Sequence, residues 1–155
     1  MDKSPFAKVD HIGIIVRDMD KTIEYYESLG MGPFAPVKDL GHLDRYLYGK
    51  PLDANRVKLR IELPEKPDKL GQIRFELIQP IEGESPWMEF LQTKGDGMMH
   101  IAYCSTDIDQ DVAELKERGL EVLYSSRFRN GGGCAYFDAR KYGGIIIELV
   151  QWSPE

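Results

Sequence analysis

Two histidines and two glutamates stand at matching places in an internal repeat. The segment that begins at His11 aligns without a gap on the segment that begins at His100, and a second alignment pairs Glu76 with Glu148. Two imidazoles and two carboxylates suit one divalent cation such as Zn, Co, Ni or Mn. An ion held by these four ligands keeps open positions only if it is five- or six-coordinate, and with two open positions it can bind two substrate oxygens and act as a Lewis acid.

Each of these residues also has a simpler interpretation when it is taken alone. A strand His is usually a core or surface residue, and a strand Glu usually pairs with an Arg, such as Arg74 beside Glu76. The repeat favours the metal site, because chance seldom places both pairs at equivalent positions. His42 has no counterpart in the repeat, and we interpret it as a surface or cleft-lining residue.

The first repeat begins with a predicted strand and helix. VDHIGIIV (9–16) is apolar and β-branched, which is typical of a strand covered on both faces. Asp18 or Asp20 is placed to cap the following helix, and Gly30 to end it. The predicted buried stripe of this helix consists of Ile23, Tyr26 and Leu29. The second repeat has equivalent signals in Asp107 or Asp109 and Gly119.

Three further strands complete each repeat. In the first they are predicted near 43–48, 57–63 and 72–79, with a polar turn over 64–71. In the second they are predicted at 121–125, 134–138 and 144–151. We therefore expect one domain over 1–155, with module one at about 8–80, a linker helix at about 84–95 and module two at about 97–152.

Strand alternation predicts where the four candidate ligands point. His11 shares a face with Gly13 and Ile15, whereas the bulky residues between them should pack against the helix. The same alternation turns the other three candidate ligands away from the helices. We expect an α+β fold of two tandem βαβββ modules, forming a cup-shaped, half-open mixed β-sheet with the helices on the outside.

Composition excludes several classes of protein. The 155 residues are 42% hydrophobic and carry a net charge of −6, which disfavours binding to nucleic acid. No apolar run approaches the roughly 18 residues of a membrane span, and the N-terminus lacks a signal peptide's apolar segment. Two cysteines are too few for a disulfide framework, so we expect a cytoplasmic protein without membrane or nucleic-acid partners.

Several segments together resemble the vicinal oxygen chelate superfamily, which includes glyoxalase I, methylmalonyl-CoA epimerase, fosfomycin-resistance proteins and extradiol dioxygenases. VDHIGIIVRDMDKTIEYYESLGM resembles the family's opening strand and helix, and GGIIIELVQ its closing strand. FELIQPIEGESPWMEFLQTKGDGMMHIAY is similar to the middle of the epimerase-like branch. Met99 stands where that branch has the first of two His, and the segment 35–60 is longer than in those epimerases.

The resemblance implies roles for particular residues. His11, Glu76, His100 and Glu148 would be the metal ligands, and Glu148 would also act as an acid/base group. Glu62 is a candidate for the second acid/base carboxylate. The family further implies a homodimer and one divalent metal ion.

The resemblance leaves more than one function open. The leading hypothesis is a metal-dependent isomerase or epimerase that moves a proton next to a carbonyl, on an acyl-CoA such as methylmalonyl-CoA. A glyoxalase I-type lyase (lactoylglutathione lyase) uses the same ligand types. A small-molecule-binding protein without activity is the third possibility. An extradiol dioxygenase fits less well, because its iron site needs only one carboxylate.

Overall fold

The computed structural model describes residues 4–64 and 73–154. The described residues form three helices, α1 (Met19–Ser28), α2 (Pro86–Lys94) and α3 (Ile108–Glu117). The ten strands are β1 (Val9–Ile15), β2 (Phe34–Pro36), β3 (His42–Leu47), β4 (Lys50–Pro51), β5 (Lys58–Pro64), β6 (Arg74–Glu82), β7 (Gly97–Cys104), β8 (Glu121–Phe128), β9 (Gly133–Ala139) and β10 (Ile145–Gln151). The turn predicted over 64–71 lies, apart from Pro64, outside the described residues.

The strands belong to one mixed sheet in the order β2-β5-β6-β1-β7-β10-β9-β8-β3-β4. β1 pairs with β6 and β7 pairs with β10 in parallel, whereas the pairs toward both ends of the order are antiparallel. Because the order ends at β2 and β4, the described strands do not close into a barrel. The mixed sheet with its helices confirms the predicted fold class.

The chain divides into two compact units. The first unit consists of His11–Lys38 and Asn55–Met99. The second unit consists of Met1–Asp10, Asp39–Ala54 and His100–Glu155.

The internal repeat is confirmed in the register of the two parallel strand pairs. In the first unit Gly13 lies opposite Glu76, and in the second Ala102 lies opposite Glu148. Gly13 follows His11, and Ala102 follows His100, by two residues. In both units, therefore, a His and a Glu come from neighbouring parallel strands and share one face of the sheet.

The helices cover the opposite face in each unit, as alternation predicted. In the first unit Ile14, Val16 and Leu77 pack with Met19 of α1, and Ile23 and Tyr26 lie against the same cluster. In the second unit the corresponding cluster consists of Ile108, Leu115, Ala135, Phe137 and Leu149. This packing explains why the His and Glu side chains face away from the helices.

The ends of the helices are fixed by local signals. Asp18 and Asp107 are the N-caps of α1 and α3, and each accepts a hydrogen bond from a backbone N–H three residues later. Gly30 follows α1 with a φ of 86°, which favours glycine. Leu29 was wrongly predicted to be buried: it is the C-cap of α1 and is 60% exposed. No helix in the described part of the chain is long and apolar enough to cross a membrane.

One predicted strand pairs outside its own repeat. The strand predicted near 43–48 in module one is β3, and it pairs antiparallel with β8 of the second unit. Alternation of side chains indicates which face of a strand is buried but carries no information about its partner. The segment Asp39–Ala54 therefore extends the sheet of the second unit, next to Glu121–Phe128.

Two equivalent glutamines hold the turns between strand and helix. In the second unit the Gln151 side chain donates to the Thr106 carbonyl (2.8 Å) and accepts from the Ile108 N–H (3.2 Å). The equivalent residues in the first unit are Gln79, Arg17 and Met19. Gln151 is buried, whereas Gln79 is only half-buried.

We expect Gln151→Ala to lower the free energy of unfolding by about 2 kcal/mol, because it leaves the buried Ile108 N–H without its partner. Gln79→Ala should cost about half as much, because water reaches its partners more easily. Urea unfolding followed by circular dichroism measures both values. Equal losses in the two variants would contradict the role assigned to burial.

Candidate functional site

The first His–Glu pair lies on β1 and β6. His11 Nε2 is 3.5 Å from Glu76 Oε1, and the two residues are 1% and 4% exposed. Gly13, which has no side chain, lies opposite Glu76 on the face of the sheet that carries His11. A buried His and Glu are thus held together by the register of two parallel strands.

The second pair repeats this arrangement on β7 and β10. His100 Nε2 is 2.9 Å from Glu148 Oε2, and both residues are buried. The Tyr136 ring meets the His100 ring edge to face, with the ring centroids 5.0 Å apart. Tyr136 also lies directly opposite Glu148 in the strand register. The Tyr136 ring therefore borders the His100–Glu148 pair on one side.

The structure brings the four predicted ligands together. One ligand atom from each of His11, Glu76, His100 and Glu148 lies within 4.8 Å of the others. Metal–nitrogen and metal–oxygen bonds of about 2.0–2.2 Å place the donor atoms of one ion roughly 3 to 4 Å apart. The two distances within the pairs agree with this spacing.

The chemistry of the donor set also fits a divalent cation. Two buried carboxylates repel each other, and burying a charge without compensation costs several kcal/mol. A doubly charged cation would offset both negative charges, while neutral imidazoles supply nitrogen donors. Side chains of this kind, buried together on apolar strands, are better suited to hold a metal ion than to stabilise a core.

A row of side chains extends from Glu148 across the second unit. In register, Glu148 lies opposite Tyr136, Tyr136 opposite Tyr124, and Tyr124 opposite Leu47. The rings of Tyr124 and Tyr136 are in edge contact, with centroids 5.9 Å apart. Burial above all raises the pKa of Tyr124 to about 12, so its hydroxyl stays protonated at neutral pH. Two aromatic rings thus lie side by side on this face, and the Tyr124 phenol is hydrogen-bonded to the Ser126 side chain.

Glu62 is not brought to this group. It lies opposite Leu77, on the face of β5 that packs beneath α1, and Arg60 Nε donates to its carboxylate at 3.1 Å. Arg60 also binds Asp20 at the start of α1. Glu62 is therefore part of an ion-pair network on the opposite face of the sheet from Glu76.

His42 is not part of the four-residue group and has a different role. Its Nδ1 lies 2.8 Å from Ser126 Oγ, and its ring meets Phe128 edge to face. Burial and the nearby Arg45 cation lower the pKa of His42, while Asp39 acts in the opposite direction. His42 is exposed, which agrees with its interpretation from the sequence as a surface or cleft-lining residue.

Neither Arg45 nor Tyr124 was singled out from the sequence. Tyr124 stands in a strand that alternation identifies, but its face depends on the register with β9. Arg45 stands in an irregular part of β3, where alternation gives no guidance. The only signal was the unusual length of the segment 35–60, which could not indicate a particular residue.

Comparisons with known proteins agree with the fold. A family model described as the Glyoxalase/Bleomycin resistance protein/Dioxygenase superfamily matches residues 10–137. The mitochondrial methylmalonyl-CoA epimerase of Homo sapiens is 26% identical over 149 residues, which is 94% of this chain and 74% of that protein.

Solved structures of methylmalonyl-CoA epimerases are similar to this chain in fold. The crystal structure of methylmalonyl-CoA epimerase from Mycobacterium tuberculosis has a TM-score of 0.69 and 24% identity, covering 99% of this chain and 93% of that one. A Streptomyces coelicolor methylmalonyl-CoA epimerase variant in complex with 2-nitronate-propionyl-CoA has a TM-score of 0.64 and 25% identity, covering 94% and 97%. Because the family model spans more than half of the sequence, the chain belongs to the glyoxalase/bleomycin resistance protein/dioxygenase superfamily.

Proposed function

We propose that the chain is a divalent-metal-dependent isomerase or epimerase that moves a proton next to the carbonyl of an acyl-CoA such as methylmalonyl-CoA. The observation that carries the proposal is the buried group of two His and two Glu, all within 4.8 Å. The similarity to methylmalonyl-CoA epimerases supports the choice of substrate class. A complex of one such enzyme with an acyl-CoA analogue further supports it.

The proposed ligands of the cation are His11, Glu76, His100 and Glu148. When bound, Zn, Co, Ni or Mn supplies Lewis-acid stabilisation of the negative charge that develops on substrate oxygens. The His side chains bind as neutral imidazoles, and their burial keeps competing water away.

Glu148 is the proposed acid/base group. Its carboxylate accepts the proton from the carbon beside the thioester carbonyl, while the electrons of the broken C–H bond move toward the carbonyl oxygen. Return of the proton restores the C–H bond. Tyr136 lies directly opposite Glu148, so its ring borders the place where this transfer would occur. Inversion needs a second group on the other side of the carbon, and Glu62 is not assigned this role because it faces α1.

Proton NMR in heavy water tests the proposal directly. With the cobalt-loaded protein we expect the α-proton signal of methylmalonyl-CoA to disappear, and with a chelator present we expect it to persist. No exchange at full metal occupancy, with methylmalonyl-CoA or any other acyl-CoA, would overturn the proposed reaction.

Two further measurements separate the alternatives. Formation of S-lactoylglutathione from its hemithioacetal, followed by ultraviolet absorbance, would support a glyoxalase I-type lyase, which uses the same donor set. A protein that binds no metal yet binds a small molecule tightly would support a binding function. The homodimer stays a prediction, and light scattering measures it.

A further inference from the structure

β3 contains a bulge opposite Ser126. Leu43 pairs with Arg127 and Tyr46 pairs with Ser125, so Asp44 and Arg45 together stand opposite the single residue between those partners. Asp44 has a φ of 46°, a conformation that non-glycine residues rarely adopt. Bulges of this kind change the direction of a side chain and are frequent beside binding sites.

The side chain affected by the bulge is a cation that the fold only partly satisfies. Arg45 is half-buried, and its Nε is buried without a hydrogen-bond partner in the described part of the chain. Leaving a buried donor of a charged group unbonded is unfavourable, and such a donor in a native protein calls for an explanation. A ligand with a negative charge would supply the missing acceptor.

Arg45 lies beside the row of side chains that runs from Glu148 through Tyr136 and Tyr124 to Leu47. It comes two residues before Leu47, which lies opposite Tyr124. Arg45 is close enough to lower the pKa of both Tyr124 and His42, and Glu148 is close enough to raise that of Tyr124. Tyr124 is therefore within electrostatic range of both the proposed base and the Arg45 cation.

We propose that Arg45, together with the Tyr124 hydroxyl, binds a carboxylate of the substrate and so selects acyl groups that carry a free acid. The planar guanidinium matches a carboxylate through two parallel hydrogen bonds. The inference rests on the proposed function for the thioester part of the substrate. The carboxylate is argued from Arg45 and its neighbours alone.

Binding of small acids to the chelator-treated protein tests the subsite without any reaction. We expect calorimetry to detect methylmalonate, and to detect its neutral diamide, which offers no carboxylate, at least about 10-fold more weakly. Arg45→Met should weaken methylmalonate binding at least about 10-fold, and Arg45→Lys less, because lysine keeps the charge but not the paired hydrogen bonds.

Arg127→Gln is the matched control. Arg127 lies on the adjacent β8, on the opposite face from Tyr124, and forms an ion pair with Asp109 of α3. The Arg127→Gln variant should bind methylmalonate and its diamide as the native protein does. Arg45→Met should also be at least as stable to urea as the native protein, because it removes a poorly satisfied buried charge. A large loss of stability would instead indicate a structural role for Arg45 and contradict the inference.

The outcomes distinguish this inference from the proposed function. If methylmalonate binding depends on Arg45 but no acyl-CoA undergoes exchange, the carboxylate subsite stands and the proposed reaction fails. If methylmalonyl-CoA undergoes exchange but Arg45→Met changes neither KM nor methylmalonate binding, the reaction stands and the subsite is refuted. If the native protein exchanges the α-protons of propionyl-CoA as fast as the α-proton of methylmalonyl-CoA, the selection of acidic acyl groups is also refuted.

Discussion

Glu148→Gln is expected to slow metal-dependent α-proton exchange by about 100-fold or more, the range observed when a positioned general base is lost. The amide oxygen of glutamine can still bind the metal ion at the place where the Glu148 carboxylate lies 2.9 Å from His100 Nε2, but it cannot accept the substrate proton. Much of the metal should therefore remain bound. Exchange of methylmalonyl-CoA by proton NMR and metal content on the same sample measure both quantities.

Glu121→Gln is the control for this variant. It makes the same chemical change at an exposed residue at the start of β8 and should leave exchange and metal content unchanged. Exchange at the native rate in Glu148→Gln, with metal bound, would remove Glu148 from the proton transfer. Loss of metal together with exchange would show that Glu148 acts mainly as a ligand.

His100→Ala is expected to weaken binding of cobalt by about 100-fold or more. Losing a residue that only orients a ligand already costs 10- to 100-fold, so losing the ligand itself should cost at least the upper part of that range. Cobalt added at 100 times its dissociation constant stabilises a native protein by about 2.7 kcal/mol. The native protein should thus melt at a higher temperature with cobalt, and His100→Ala should not.

The three histidines provide an internal comparison for this result. His11→Ala should behave as His100→Ala does, because His11 occupies the equivalent position in the repeat. His42→Ala should bind cobalt as the native protein does, because His42 bonds to Ser126 and is not one of the four clustered ligands. Equal cobalt affinity in all three variants would eliminate the proposed metal site.

The parts of the site that were predicted from sequence depend on local periodicity. Alternation along β1 and β10 was enough to place His11 and Glu148 away from the helices, because a strand's side-chain period is two and the apolar face must be buried. The repeat then extended this reasoning to Glu76 and His100. The N-caps were narrowed to two candidates each, since only a short polar side chain can accept from the first turn.

The parts that were not predicted depend on how distant strands pair. Whether Glu62 faces Glu76 or α1 follows from the register of β5 on β6, which side-chain periodicity alone does not fix. The pairing of β3 with β8 depends on β8 offering an edge with unpaired backbone groups, which the sequence of β3 does not reveal. The bulge at Asp44 and Arg45 has no clear sequence signature, so the cation it redirects could not be identified beforehand.

The attachment of β3 at the edge of the second unit has a consequence for how such a protein diversifies. β3 and β4 end the strand order, and among the described strands β3 pairs with β4 on one side and with β8 on the other. Mutations there can accumulate while the strands that carry His100 and Glu148 stay under separate selection. With the proposed role of Arg45, substitutions in this hairpin can change substrate preference without altering the four candidate metal ligands.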